Sequence, residues 1–348
     1  MERRSFLKQA AVVVAGMSVG EMGAQTTLEG AAAHTPLPAV STVNGIGRRK
    51  LGRADVEVSI LGIGGHHIGR TYVSEAEGIQ IIQRALDEGI NFLDNCWDYN
   101  NGVSEERMGK ALQGGYRQKA FLMTKIDGRT GSAARQQLEQ SLVRLKTDHI
   151  DLLQIHEVIR MGDPEQAFQT GNVIDALKQA RQEGKIRFIG FTGHKSPEIH
   201  LHMIETADKH GFVFDSVQMP VNALDQHFDS FQQKVIPVAQ RHGMAILGMK
   251  PLADSLILKT NTVTAVEALH YAMSVPVTVT INGCDSMARL DQALSIARNF
   301  KPLDLQQKIA VLQKTAPVAM DGKVEAYKSS QKFDGTASNP HWLGSFPW

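Results

Sequence analysis

Four side chains in this sequence could do proton chemistry together: Asp94, Tyr99, Lys125 and His156. Asp94 closes the apolar run "NFLD", and Tyr99 follows in the asparagine-rich turn "NCWDYNNG". Lys125 closes "AFLMTK" and His156 closes "IDLLQIH". Each alone has an ordinary reading, as a capping carboxylate, a packing ring, a snorkelling amine or a hydrogen-bonded imidazole. At the ends of three successive buried runs, however, titratable groups are costly unless they satisfy one another. A phenol of pKa about 10 is a weak acid at neutral pH unless its phenolate is stabilised, which an ammonium within hydrogen-bond reach would do. The lysine must itself stay protonated in a partly desolvated place, and a paired aspartate would ensure that. A neutral histidine beside the phenol could donate to a carbonyl oxygen and orient it. The set is a general-acid relay aimed at a carbonyl on its way to an alkoxide. It contains no nucleophile and no metal set, so the missing electron pair must come from a hydride donor.

Such a relay needs a scaffold that gathers strand ends. From about Leu51 the chain alternates short aliphatic runs with amphipathic stretches. The strand-like runs cover residues 59–65, 91–94, 120–125, 150–156, 187–193, 216–222, 244–250 and 277–282. Most are nearly continuous in apolar residues, as parallel strands buried on both faces should be. A helix is expected from Ser74, with Glu77 completing a capping box and Ile79, Ile82, Ala85 and Leu86 on one face, ending at Gly89. Others close at Gly184 and Gly243, the second with Pro237 marking a kink or a late start. Eight such strands, each followed by a helix, predict an α/β protein with a (β/α)8 TIM barrel of parallel strands. An open doubly wound sheet is the runner-up, disfavoured because no run stands out as an edge. Barrel chemistry sits at the C-terminal ends of the strands, where all four residues fall. "RRKLGRADVEVS" would add an N-terminal hairpin at the barrel's bottom.

The stretch "GINFLDNCWDYNNGVSEERMGKAL" (residues 89–112), with "FLMTK" and "DLLQIH", resembles the aldo/keto reductase family. The similarity runs from about Leu51 to about Phe300 and sets Asp94, Tyr99, Lys125 and His156 at that family's tetrad. The resemblance implies a (β/α)8 barrel and a nicotinamide cofactor, NADP(H) first and NAD(H) second. It implies Thr192 in "GFTGHKSP" and Gln218 in "SVQMP" at the carboxamide, and Lys250, Pro251 and Leu252 along the pyrophosphate. Met249 stands where an aromatic residue often stacks on the nicotinamide. Gly283 and Cys284 replace the lysine and serine that many relatives use on the 2′-phosphate, while Arg289 is kept; one guanidinium can pair with a phosphate. Trp97, between Asp94 and Tyr99, is expected to touch substrate. The implied function is an oxidoreductase that interconverts an aldehyde or ketone, such as a sugar derivative, with its alcohol, Tyr99 being general acid/base. The alternative is a non-catalytic nicotinamide-binding or regulatory barrel, which Met249 and the altered phosphate site leave open.

The rest of the sequence narrows the field. Its 348 residues carry 37 basic and 36 acidic side chains, for a net charge of +1, which argues against a nucleic-acid partner. Cys96 and Cys284 are too few for a disulfide framework, lack metal-site spacing and read as buried bystanders. "LGIGGHHIG" departs from G-x-G-x-x-G and reads as the loop after the first barrel strand; His66 and His67 lack a partner ligand, so no metal is expected. A hydrolase or lyase would need paired carboxylates or metal ligands that the pattern does not offer. Arg3-Arg4-Ser5-Phe6-Leu7-Lys8, ahead of an apolar run too short to span a bilayer, resembles a bacterial twin-arginine (Tat) export signal. The expected organisation is signal and start of linker at 1–33, linker at 34–47, barrel at 48–303, and C-terminal helix with aromatic tail at 304–348. The tail either covers the active-site mouth or serves as a packing strap or oligomer contact. The expected partners are a small carbonyl or alcohol and the Tat machinery, with no stable membrane span after cleavage. The destination is the periplasm or exterior, or the cytoplasm if the signal is unused, with cofactor folded in before export.

Overall fold

The computed structural model describes residues 37–344, so the Arg3-Arg4 segment and the last four residues of the tail lie outside it. Among the described residues eleven strands run in chain order. They are β1 (Ser41–Val43), β2 (Ile46–Lys50), β3 (Glu57–Ser59), β4 (Leu61–Gly64), β5 (Phe92–Asp94), β6 (Phe121–Ile126), β7 (Ile150–Ile155), β8 (Ile186–Thr192), β9 (Ser216–Pro220), β10 (Ala245–Met249) and β11 (Val279–Gly283). Strands β4 to β11 form a closed barrel in sequence order, every pair parallel, with β11 returning to β4. All eight expected barrel strands are present within a few residues of their anticipated ends.

The strand period of two explains how the barrel is filled and how the site is aimed. Phe92, Phe121, Met123, Leu152, Ala245, Leu247, Val279 and Ile281 pack with one another as one interior cluster. Leu93, Leu122, Leu153 and Ile155 belong instead to the larger cluster shared with the surrounding helices. Continuing the inward series by two residues gives Asp94 after Phe92, Lys125 after Met123, and His156 after Leu152 and Gln154. Register staggers them, with Asp94 opposite Met123 and Lys125 opposite Gln154, so each lies two residues further along its strand than the one before.

Leu51 and Val58 close the interior cluster from below. They come from β2 and β3 and the turn between them, which form the expected hairpin. Buried Arg49 fastens it, donating to the Val277 carbonyl at 2.6 Å. Residues 41–43, expected within a linker, are instead the third strand of this small sheet. Val43 pairs with Ile46 across Asn44 and Gly45, both left-handed at φ 49° and 81°, a two-residue Asn-Gly hairpin turn.

The helix after β4 spans Glu75–Asp87, with the Ser74 hydroxyl accepting from Glu77 N at 3.1 Å. Its buried face is Gly78, Ile81, Ile82, Ala85 and Leu86; Ile79 sits at the edge of that stripe. The stretch around Pro237 is two short helices, Phe231–Lys234 and Ile236–Arg241, with the proline in the first turn of the second, where its missing N–H costs nothing. A C-terminal helix, Leu305–Ala319, starts at an Asp304–Gln307 capping box. Among the described residues no helix is long and apolar enough to cross a membrane.

Candidate active site

Asp94, Tyr99, Lys125 and His156 line one cavity of about 480 Å³ at the C-terminal mouth of the barrel. Lys125 is 1% exposed; its ammonium pairs with the Asp94 carboxylate and donates to the Asn95 carbonyl at 2.7 Å. It also reaches the Tyr99 hydroxyl at 3.3 Å. The other Asp94 oxygen accepts from Gln218 Nε2 at 3.1 Å, so the carboxylate is held from both sides. Close approach here depends on Gly65, where a Cβ would lie 2.6 Å from the Asp94 carbonyl.

Tyr99 sits in a turn whose next two residues, Asn100 and Asn101, are left-handed at φ 53° and 56°. Asparagine tolerates that region better than most residues. The turn folds the ring back over the strand end, edge-on to His66 at 5.0 Å and to His156 at 5.9 Å between centroids. Burial raises the phenol well above its ordinary pKa, and the Asp94 charge adds to the rise. The hydroxyl is therefore held protonated, with Lys125 the nearest cation that could stabilise its anion. Burial pushes His66 down to about 3, with Arg70 and His67 contributing, so the ring beside Tyr99 is neutral.

His156, expected as a neutral imidazole, is held among acidic neighbours that favour its protonated form. Burial pulls its pKa down, but Asp127 and Asp98 outweigh that and the net shift is upward. Its Nδ1 lies 2.9 Å from Asp127, 3.2 Å from Cys96 Sγ and 3.7 Å from Asp98. The contacting atoms of these four side chains all fall within 4.8 Å of one another. Sequence reasoning missed Asp98 and Asp127. The same period of two that picks out Lys125 continues to Asp127, whereas Asp98 lies in a turn that no period describes.

The structure gives Trp97 a different role from the substrate contact expected of it. Its indole N–H donates to Gln140 at 2.6 Å and its ring meets Trp342 edge-on at 5.7 Å, so it packs against the C-terminal segment and not in the cavity. The tail itself does two of the things anticipated. Lys332, Phe333 and Gly335 line the cavity mouth, and buried anchors strap the segment down. Glu157 accepts from the Gly335 and Thr336 amides at 2.9 and 2.7 Å, and Asp334 pairs with Lys195 at 2.7 Å and His194 at 3.1 Å.

The residues assigned to a cofactor fall into three places. Thr192 and Gln218 are buried, and Thr192 Oγ1 and Gln218 Oε1 have no hydrogen-bond partner among the described residues. Orphaned buried polar atoms are costly, and a carboxamide offers the complementary donors and acceptor. Met249, Lys250, Pro251, Leu252 and Gly283 line the main cavity. Lys250 is turned inward, with its ammonium 5.5 Å and 5.3 Å from the Tyr327 and Phe333 ring centres, and burial lowers its pKa. Gly283 leaves room that a side chain would take, since a Cβ there would meet the His67 ring at 2.1 Å. Arg289 lines an adjoining recess of about 140 Å³ with Asp285 and Gln292, which shares Leu252 and Gly283 with the main cavity. These residues suit a nicotinamide dinucleotide; at its adenosine end one guanidinium and one carboxylate compete. Cys284 is buried, its thiol pushed up to about 12 by burial.

Comparison with known proteins agrees with this geometry. The aldo/keto reductase family profile matches residues 60–266. The chain is 29% identical over 222 residues to an uncharacterized oxidoreductase of Bacillus subtilis, covering 60% of this chain and 66% of the relative. It is 30% identical over 227 residues to L-galactose dehydrogenase of Arabidopsis thaliana, again covering 60% of this chain and 66% of the relative. The aligned region thus spans just under two thirds of the length of these curated relatives. Among solved structures, an aldo-keto reductase of Bacillus halodurans in its holo form superposes with TM-score 0.65 at 25% identity, covering 77% of this chain and 96% of that one. With the barrel reached first from strand pattern alone, these matches establish that the chain belongs to the aldo/keto reductase family.

Proposed function

We propose that the protein is an oxidoreductase that interconverts a small aldehyde or ketone with its alcohol, using NADP(H) or NAD(H), and that Tyr99 is its general acid/base. The observation that carries this reading is the Tyr99 hydroxyl 3.3 Å from a Lys125 ammonium that is itself paired with Asp94, inside a cavity shared with His156. The phenol enters as a neutral acid because burial and the Asp94 charge hold its proton on. As negative charge builds on a carbonyl oxygen near it, Lys125 supports the proton's departure by stabilising the phenolate. Asp94 pairs with the ammonium, and Gln218 keeps Asp94 in place. The nicotinamide, when bound, supplies or accepts the hydride; Thr192 and Gln218 offer its amide the polar atoms they leave unpaired. A polar lining that includes His66, Arg70 and Lys332 suits a hydroxylated substrate, such as a sugar or keto sugar. The test is label transfer. NADPH or NADH deuterated at the reactive carbon should place deuterium on the carbinol carbon of a reduced member of a panel of aldehydes, ketones and ketoses. Absence of transfer to every member would refute the reading.

The export proposal rests on Arg3-Arg4-Ser5-Phe6-Leu7-Lys8 alone. A folded, cofactor-loaded protein crossing by the twin-arginine route should stay cytoplasmic in an Arg3→Lys/Arg4→Lys variant. Unchanged export of that variant would remove the proposal.

A further inference from the structure

Two carboxylates face the inner edge of His156, and the cations around them are occupied elsewhere. Asp127 is fully buried; one oxygen meets His156 Nδ1 at 2.9 Å and the other has no hydrogen-bond partner among the described residues. Asp98, from the turn after β5, brings an oxygen to 3.7 Å of the same nitrogen, and that oxygen is likewise without a hydrogen bond. Lys125 is committed to Asp94. The Arg129 guanidinium donates to the Asp127, His156 and Glu157 carbonyls and lies 3.6 Å from Asp163. Glu157 contributes a third negative charge and spends its oxygens on the tail amides. Two other titratable groups lie against the ring, Tyr99 and Cys96, and burial raises the pKa of both. Among the described residues the imidazole is thus the one group that can carry positive charge against both carboxylates, and two buried carboxylates so close do not both ionise without a cation.

We propose that Asp127 and Asp98 are positioning residues for His156, which turn its Nδ1 away from the cavity and hold the ring as an imidazolium, so that a bound carbonyl oxygen meets two N–H or O–H donors, a charged His156 and the Tyr99 hydroxyl. This rests on the carbonyl–alcohol reading of the site. The Asp127 backbone is itself pinned, its amide donating to Gln137 Oε1 at 2.8 Å. Burial and the Asp127 charge lift Asp98 to about 6, so above that pH both carboxylates face the ring ionised. An imidazolium so placed stabilises developing alkoxide charge more strongly than a neutral ring.

The test has two arms on the full-length protein. The first needs no substrate: the His156 ring resonances, identified by their loss in His156→Gln, are titrated by NMR. The ring should stay charged to a higher pH than an ordinary histidine, and Asp127→Asn should lower that midpoint by at least one unit, with Asp98→Asn moving it in the same direction by less. The second follows reduction against pH. Asp127→Asn should match the parent near pH 5.5, fall at least about tenfold below it near pH 8, and keep its affinity for the nicotinamide. A wild-type ring that titrates at or below the ordinary range overturns the proposal. So does a midpoint unmoved in both aspartate variants, or a divalent cation copurifying stoichiometrically and lost in Cys96→Ser. If no carbonyl is reduced, the functional reading fails, while the NMR arm still decides this one.

Discussion

Replacing Lys125 by Met should be the most damaging single change at the site, and the geometry gives its size. The ammonium is 1% exposed and holds three oxygens: the Asp94 carboxylate, the Asn95 carbonyl at 2.7 Å and the Tyr99 hydroxyl at 3.3 Å. Removing one partner of a buried ion pair leaves an uncompensated charge and costs about 3–5 kcal/mol. Gln218 still donates to Asp94 at 3.1 Å, a bond to a charged group, which keeps the loss toward the lower end of that range. Melting should fall by roughly 5–8 °C for a domain of this size. Asp94→Asn alone strands the ammonium and should cost a similar amount. The double variant removes both charges, so it should cost less than the two singles together by about 2–3 kcal/mol. Calorimetry on the four proteins closes the cycle. A Lys125→Met protein melting within about 2 °C of its parent, or singles that simply add, would refute the buried pair as the site's electrostatic keystone.

Other expectations follow from the same contacts. Trp97→Phe loses the 2.6 Å bond to Gln140 and should cost about 1–2 kcal/mol while leaving KM for substrate unchanged; a KM effect with unchanged melting would restore Trp97 to the substrate site. Burial lifts the Glu325 carboxyl to about 7, against the pull of Lys328 and with the push of Asp225. A carboxyl raised on folding stabilises fully below its unfolded value near 4.5 and loses that contribution as pH climbs through 7. Melting of the parent should therefore drop relative to Glu325→Gln between pH 4.5 and 7, and a rise over that window would contradict the assignment.

The barrel was legible because its strands are short, apolar on both faces and punctuated by capped helices, so that period and length agreed. The four proton-handling residues were legible for the same reason: a charge at the end of an inward-facing series has few places to point. Trp97 was not, because it lies where the chain leaves β5 and passes into a left-handed turn at Asn100 and Asn101, and no period predicts a side chain's direction there. The strand at residues 41–43 was hidden by composition, although its signal, Asn44-Gly45 between two β-branched residues, was present. The charge state of His156 could not be read from its own segment. It depends on Asp98 and Asp127, which reach the ring from the loops after two other strands.

The central claim is that one phenol carries the proton, and Tyr99→Phe tests it most directly. The variant keeps the ring that packs on His66 and His156 and removes only the hydroxyl. Measured on the cofactor and carbonyl that the parent uses, it should bind the reduced nicotinamide with unchanged Kd and lose about 10²- to 10⁴-fold in kcat/KM. A variant that turned over at the parental rate would contradict the account, however well the rest of the barrel conforms.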